Sequence, residues 1–121
     1  MIHTTMGKVL SAYVALNRVR NKVRGKTALD LFRLKNAMKD SVDFISEEEM
    51  KLVNEHGGAV TETGTIIIAD KDKRAAFMTA RKELDMMECD VEMSPPVVNM
   101  ESNPDITMED IEQLDGFVEF E

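Results

Sequence analysis

Apolar residues recur along residues 27–57 at steps of three, four and seven: Leu31, Leu34, Met38, Val42, Ile45 and Leu52. That is the spacing of one helix face. Thr27 with Asp30 three positions on has the form of a capping box, which predicts Thr27 as the N-cap. Gly57 and Gly58 follow the last periodic residue, where a left-handed residue ends a helix. Ser46 and Glu49 repeat the capping-box spacing inside the stretch. The pattern therefore leaves open one continuous rod or a kink at Ser46. Upstream, Val9, Ala12, Tyr13, Leu16, Val19 and Val23 share a side of a helix expected over residues 8–24 and stopped by Gly25. A turn this short predicts an antiparallel helix pair. Residues 1–5 read equally as a strand or as a frayed lead-in.

Past Gly58 the chemistry shifts towards strands. Val60, Ile66, Ile67 and Ile68 flank a Thr63-Gly64 turn, which predicts a small hairpin with residues 65–69 as its clearer half; a loop is the alternative. Asp70 can cap a third helix over residues 71–88, with Phe77, Ala80, Leu84 and Met87 as its apolar face. Cys89, Val91 and Met93 then alternate with acids, the pattern of a half-buried strand, and Pro95-Pro96 ends it. Residues 97–100 extend it as an edge segment. Thr107 with Asp110 is another capping box, opening a short helix with Ile111, Leu114 and Val118. Gly116 either lies within that helix or stops it and leaves residues 117–121 extended. The expected fold is α+β and mostly helical: an antiparallel helical hairpin plus a third helix packed on a small β-sheet of residues 65–69 and 89–93. One domain spans 1–121, with a basic helical half (1–57) and a mixed α/β acidic half (58–121).

Composition adds two points. Ten Met accompany five Phe, one Tyr and no Trp, so Met is expected to fill core gaps beside Leu, Val and Ile. Charge is divided unevenly. Residues 1–40 hold nine Lys and Arg against Asp30 and Asp40, a formal +7, whereas residues 41–121 carry −15. No Lys or Arg follows Lys82, while thirteen acids lie from Glu83 onward. Such asymmetry points to an interaction surface. In one reading the acidic third folds back on the basic hairpin and neutralises it. In a second, the corner of Arg18, Arg20, Lys22, Arg24 and Lys26 touches nucleic acid; the net charge of −8 and the lack of interleaved aromatics argue against this. In a third, the acidic surface docks on a basic protein and imitates nucleic acid.

Specific chemistry finds no footing in the sequence. His3 and His56 are the only histidines, and His56 beside Gly57 reads as serving a helix end. Cys89, the single cysteine, alternates with acids that discourage a thiolate, and reads as a buried core thiol. No zinc or calcium spacing, Walker loop or GxGxxG is present. The expectation is no enzyme, no cofactor and no metal. A lone cysteine excludes an intramolecular disulfide and suits a reducing compartment. No apolar run approaches the roughly 20 residues that span a bilayer, and the first residues lack a signal-peptide profile. A cytoplasmic protein without membrane contact is expected.

The segments GKTALDLFRLKNAM, FISEEEMKLVNEHG, FMTARKELDMMECDVEM with Pro95, and TMEDIEQLDGFVEFE resemble a family of small proteins of unknown function from phages and prophages of Gram-positive bacteria. The resemblance covers about three-quarters of the chain; residues 61–70 and the very basic end of the first helix depart from it. It implies a phage or prophage accessory protein, in the host cytoplasm, and carries no catalytic residues. The expected function is non-catalytic protein binding, in virion assembly or on a host protein. The alternative is an inhibitor of a host defence or nucleic-acid enzyme acting through the acidic surface. Candidate contact residues are Arg18, Arg20, Lys22 and Arg24 on the basic side, and Glu101, Asp105, Glu109, Glu112 and Asp115 on the acidic side. Self-association stays open, through exposed Met residues, Val98 and Phe120.

Overall fold

The computed structural model describes all residues, 1–121, as four helices and six short strands. Strand β1, Ile2–Thr5, runs directly into helix α1, Met6–Val19, where the Thr5 hydroxyl caps the Lys8 amide. The lead-in is therefore a strand. Val9, Ala12, Ala15, Leu16 and Val19 form the buried stripe of α1. The helix ends at Val19, not at residue 24. The Lys22 amide donates to the Val19 carbonyl at 2.8 Å, tightening the chain into a corner that returns Val23 to the core.

Helix α2, Gly25–Glu55, opens at Gly25, whose φ of 60° makes the turn. Its N-cap is Arg24 with no side-chain capping bond, so Thr27 lies inside the helix and caps nothing. The helix is also unbroken at Ser46. Leu34, Met38, Ile45 and Val53 stay on the buried side across that point. Glu49 reaches Arg81 at 2.6 Å instead of returning to the Ser46 amide. A tertiary partner thus outcompetes a local cap. At the far end Gly57 (φ 67°) and Gly58 close a Schellman motif, with Gly58 N–H on the Val53 carbonyl at 2.8 Å and Gly57 N–H on the Asn54 carbonyl at 3.3 Å.

Strands β2, Ala59–Val60, and β3, Ile66–Ile67, form the expected hairpin. Helix α3, Lys71–Met86, is capped by Asp70, which accepts from the Lys73 amide at 2.9 Å. It buries Phe77 and Leu84. Met87 is exposed, contrary to the helical pattern, because the backbone turns extended there and its carbonyl accepts from the Met6 amide. Strand β4, Glu88–Val91, pairs antiparallel with β1, Ile2 opposite Val91. Strands β5, Val97–Val98, and β6, Glu119–Phe120, pair in parallel, with helix α4, Met108–Gln113, in the crossover that parallel pairing requires. Gly116 (φ 84°) ends the α4 segment and releases the extended C-terminus.

The architecture is α+β and mostly helical, but the single sheet of residues 65–69 with 89–93 does not form. Those segments sit at opposite ends of α3, a helix about 24 Å long at 1.5 Å per residue. Each takes a different partner, and three separate two-stranded sheets result. The main core joins α1 and the first half of α2 to Val91, Val98, Ile106, Leu114, Phe117 and Val118. A second cluster, Met6, Ile45 and Leu84, shows α1 and α2 running antiparallel, since the start of α1 meets the later part of α2. Val53, Ile68 and Phe77 fasten the hairpin and α3 to the end of α2. Only Met6 and Met38 of the ten methionines are buried, while six are exposed. Val, Leu, Ile and Ala fill the interior and leave Met few gaps to occupy.

Gly58 is a tight point in this last cluster. A Cβ there would meet Ile68 Cγ1 at 2.8 Å and Val53 Cγ1 at 3.1 Å. Gly58→Ala is expected to destabilise the fold by about 2 kcal/mol through overpacking, read as a lower urea midpoint. An unchanged midpoint would show that the hairpin is not packed on α2.

Candidate interaction surfaces

Asp110 is the charged residue that the fold encloses completely. Its amide donates to the Thr107 hydroxyl at 3.2 Å and its Oδ2 accepts from the Thr107 amide at 3.0 Å, which completes the capping box. The same carboxylate reaches across to the end of α1. Oδ1 accepts from Arg18 Nε at 2.7 Å and Oδ2 from Lys22 Nζ at 2.8 Å. Arg18 Nη2 also donates to Gln113 Oε1 at 2.6 Å. Burial by itself would raise the Asp110 carboxyl, but Lys22, the Thr107 amide and Arg18 together hold it well below the usual carboxylate range.

The acidic third therefore folds back on the basic hairpin, yet the docking uses one carboxylate. Glu101, Asp105, Glu109, Glu112 and Asp115 are all exposed and none makes an ion pair. The candidate cations divide. Arg18 and Lys22 are half-buried and occupied by Asp110, so they are not free surface. Arg20 and Arg24 are exposed without ion-pair partners. Asp110 was legible only as a cap, although it stands four residues before Leu114 on the buried stripe, where a charge needs a partner. Arg18 in the last turn of α1 and Lys22 in the corner just beyond it supply the matching cations.

Elsewhere, Glu112 and Asp115 share a polar cleft of about 580 Å³ with Lys8, Ser11 and Asp85, the last tied to Arg81. Val98 is buried and Phe120 half-buried in the β5–β6 pair, so neither is free for self-association. His56 Nδ1 donates to the Leu52 carbonyl at 2.6 Å and its ring meets Phe77 edge-on, a helix-end role. Cys89 is half-buried instead of buried. Burial first and then the Asp90 charge push its thiol up. His3 pairs with Asp90 across β1 and β4. No helix is long and apolar enough to cross a membrane. No protein-family model matches this chain, and comparison with curated proteins and with solved structures likewise finds no match.

Asp110 makes acid sensitivity a test of the docking. Its native carboxyl keeps its charge to lower pH than it would in the unfolded chain, so the unfolded state takes up the proton first. That contribution is full above about pH 4 and is lost as pH falls below it, through the depressed native value. Asp110→Asn is expected to cost about 3 kcal/mol at neutral pH and to flatten stability below about pH 4. Urea unfolding of both proteins across that window decides it; parallel acid loss in the two would remove Asp110 as the cause.

Proposed function

We propose that this chain is a non-catalytic, protein-binding accessory protein of phage or prophage origin, acting in the host cytoplasm, either in virion assembly or on a host protein. The observation that supports binding is the set of exposed, unpaired carboxylates Glu101, Asp105, Glu109, Glu112 and Asp115, held on a segment that Asp110 fastens to α1. Ordinary folding does not use them. In a chain of net charge −8 they form a surface suited to steering towards a basic partner. The phage or prophage setting rests on the resemblance of the four quoted segments alone. A second reading draws on the same carboxylates: an inhibitor that presents them to a nucleic-acid or defence enzyme in place of phosphates.

The test is affinity capture from host lysate with the full chain. Truncation after Asn99 would strip Ile106, Leu114, Phe117 and Val118 from the core, so neutralisation is the better variant. Glu101→Gln, Asp105→Asn, Glu109→Gln, Glu112→Gln and Asp115→Asn together leave Asp110 in place. The expected result is a protein partner held by wild type, lost by the neutralised chain, and weakened as salt shortens the screening length to a few Å, about 3 Å at 1 M. Identical capture by both chains would rule the acidic face out as the contact. Recovery of the chain in purified particles would favour assembly over inhibition.

A further inference from the structure

The acidic face leaves one conspicuous feature unused. At the corner between α1 and α2 lies a groove of about 480 Å³, open to solvent, on whose lining apolar residues predominate. Leu16, Val23 and Leu31 are buried in its floor, while Leu29 and Phe32 on its wall are 45% and 57% exposed. Single exposed apolar side chains are ordinary. Leu29 and Phe32 stand three apart on one helix face and continue an apolar floor, which makes a patch. The charged residues in the lining, Arg20 and Lys35, are both cations. Arg20 has no ion-pair partner, and Lys35 is set over the Tyr13 ring at 5.3 Å. Exposed Arg24 and Arg33 adjoin lining residues in sequence, as does the half-buried Asp30 between Leu29 and Leu31, so cations outnumber acids around the groove.

We infer that this α1–α2 groove is a docking site for an acidic amphipathic helix of a protein partner. Four physical points select that occupant. The cationic rim complements an acidic segment, and the apolar floor takes its hydrophobic anchors at positions i, i+3 or i+4, and i+7. Two helices line the groove and offer side chains instead of a free strand edge, so an extended peptide would gain no main-chain ladder. A second copy placed symmetrically would bring its own Arg20 and Lys35 to the same groove, and like charges oppose that closure. A nucleic acid would find aliphatic carbon where it needs cations. The site goes beyond the acidic-face reading and uses none of its residues, so either can fail alone.

The experiment is selection of a random peptide display library on the full chain, with counter-selection on Phe32→Ser. Enriched peptides are expected to be net negative, with apolar residues at helical spacing. Their affinity, read by fluorescence anisotropy, should fall about tenfold or more with Phe32→Ser and with Arg20→Glu. Arg20→Glu should also flatten the salt dependence. Both substitutions replace exposed side chains, and together they separate loss of the site from a local packing fault. No enrichment, enrichment of neutral or basic peptides, or binding that ignores both variants would overturn the proposal. So would a dimer in sedimentation that Phe32→Ser dissolves, which would put a second copy in the groove. A DNA or RNA shift lost in Arg20→Glu and kept in Phe32→Ser would give the corner to nucleic acid and overturn it equally.

Discussion

A carboxylate without access to water costs several kcal/mol unless its oxygens are occupied, and Asp110 occupies both. One oxygen takes Arg18; the other takes Lys22 and the Thr107 amide. The closure of the C-terminal third follows from this arrangement. A six-residue helix cannot hold itself together in water. Fixed against α1, it brings Leu114, Phe117 and Val118 into the main core and sends the chain through Gly116 to lie parallel with β5. The backbone then completes the closure, with the Glu119 amide on the Pro96 carbonyl and the Glu121 amide on the Val98 carbonyl, each at 2.9 Å.

Where local chemistry and burial agreed, the sequence was readable. Most of the apolar stripes of α1 and α2, the Asp70 and Thr107 caps, the Gly57-Gly58 stop and the Gly64 turn appear as the pattern predicts, although α1 stops before Val23 and Val53 is buried more deeply than Leu52. Where a distant residue competed with a local one, the pattern misled. Ser46 and Glu49 leave a rod and a kink equally open, and Glu49 pairs with Arg81 on α3 in an unbroken helix. Thr27 looked like an N-cap, but the left-handed Gly25 had already begun the helix. Beyond the β2–β3 hairpin the sheet partners were not readable, because β1 and β4 are far apart in the chain and the two-residue strands β5 and β6 carry no period. The acidic candidates were visible because nothing pairs them, whereas Asp110 was hidden by its own plausibility as a cap.

The same carboxylate also sorts the basic corner. By taking Arg18 and Lys22 it removes two cations from the surface and leaves Arg20 in the groove lining and Arg24 exposed beyond it. The formal asymmetry between the halves thus becomes a separation in space. Carboxylates without partners cover the C-terminal segment, and cations without partners frame an apolar trough on the helical hairpin. Neutralisation of one half by the other is confined almost wholly to one buried point.

The orientation of charge along α4 bears on why the acids are present. Glu109 and Asp110 lie in its first turn, where the helix dipole favours negative charge. Glu112 and Asp115 lie at the opposite end, where the dipole disfavours it, and no basic residue occupies the last turn. Such placement costs a few tenths of a kcal/mol or more on a helix with little stability of its own. Exchanging either for Lys would favour folding by the same reasoning, and would leave the Asp110 contacts untouched. Charge placed against the stability of its own element, and held in no ion pair, is the physical argument for treating Glu112 and Asp115 as a surface that serves something outside the chain.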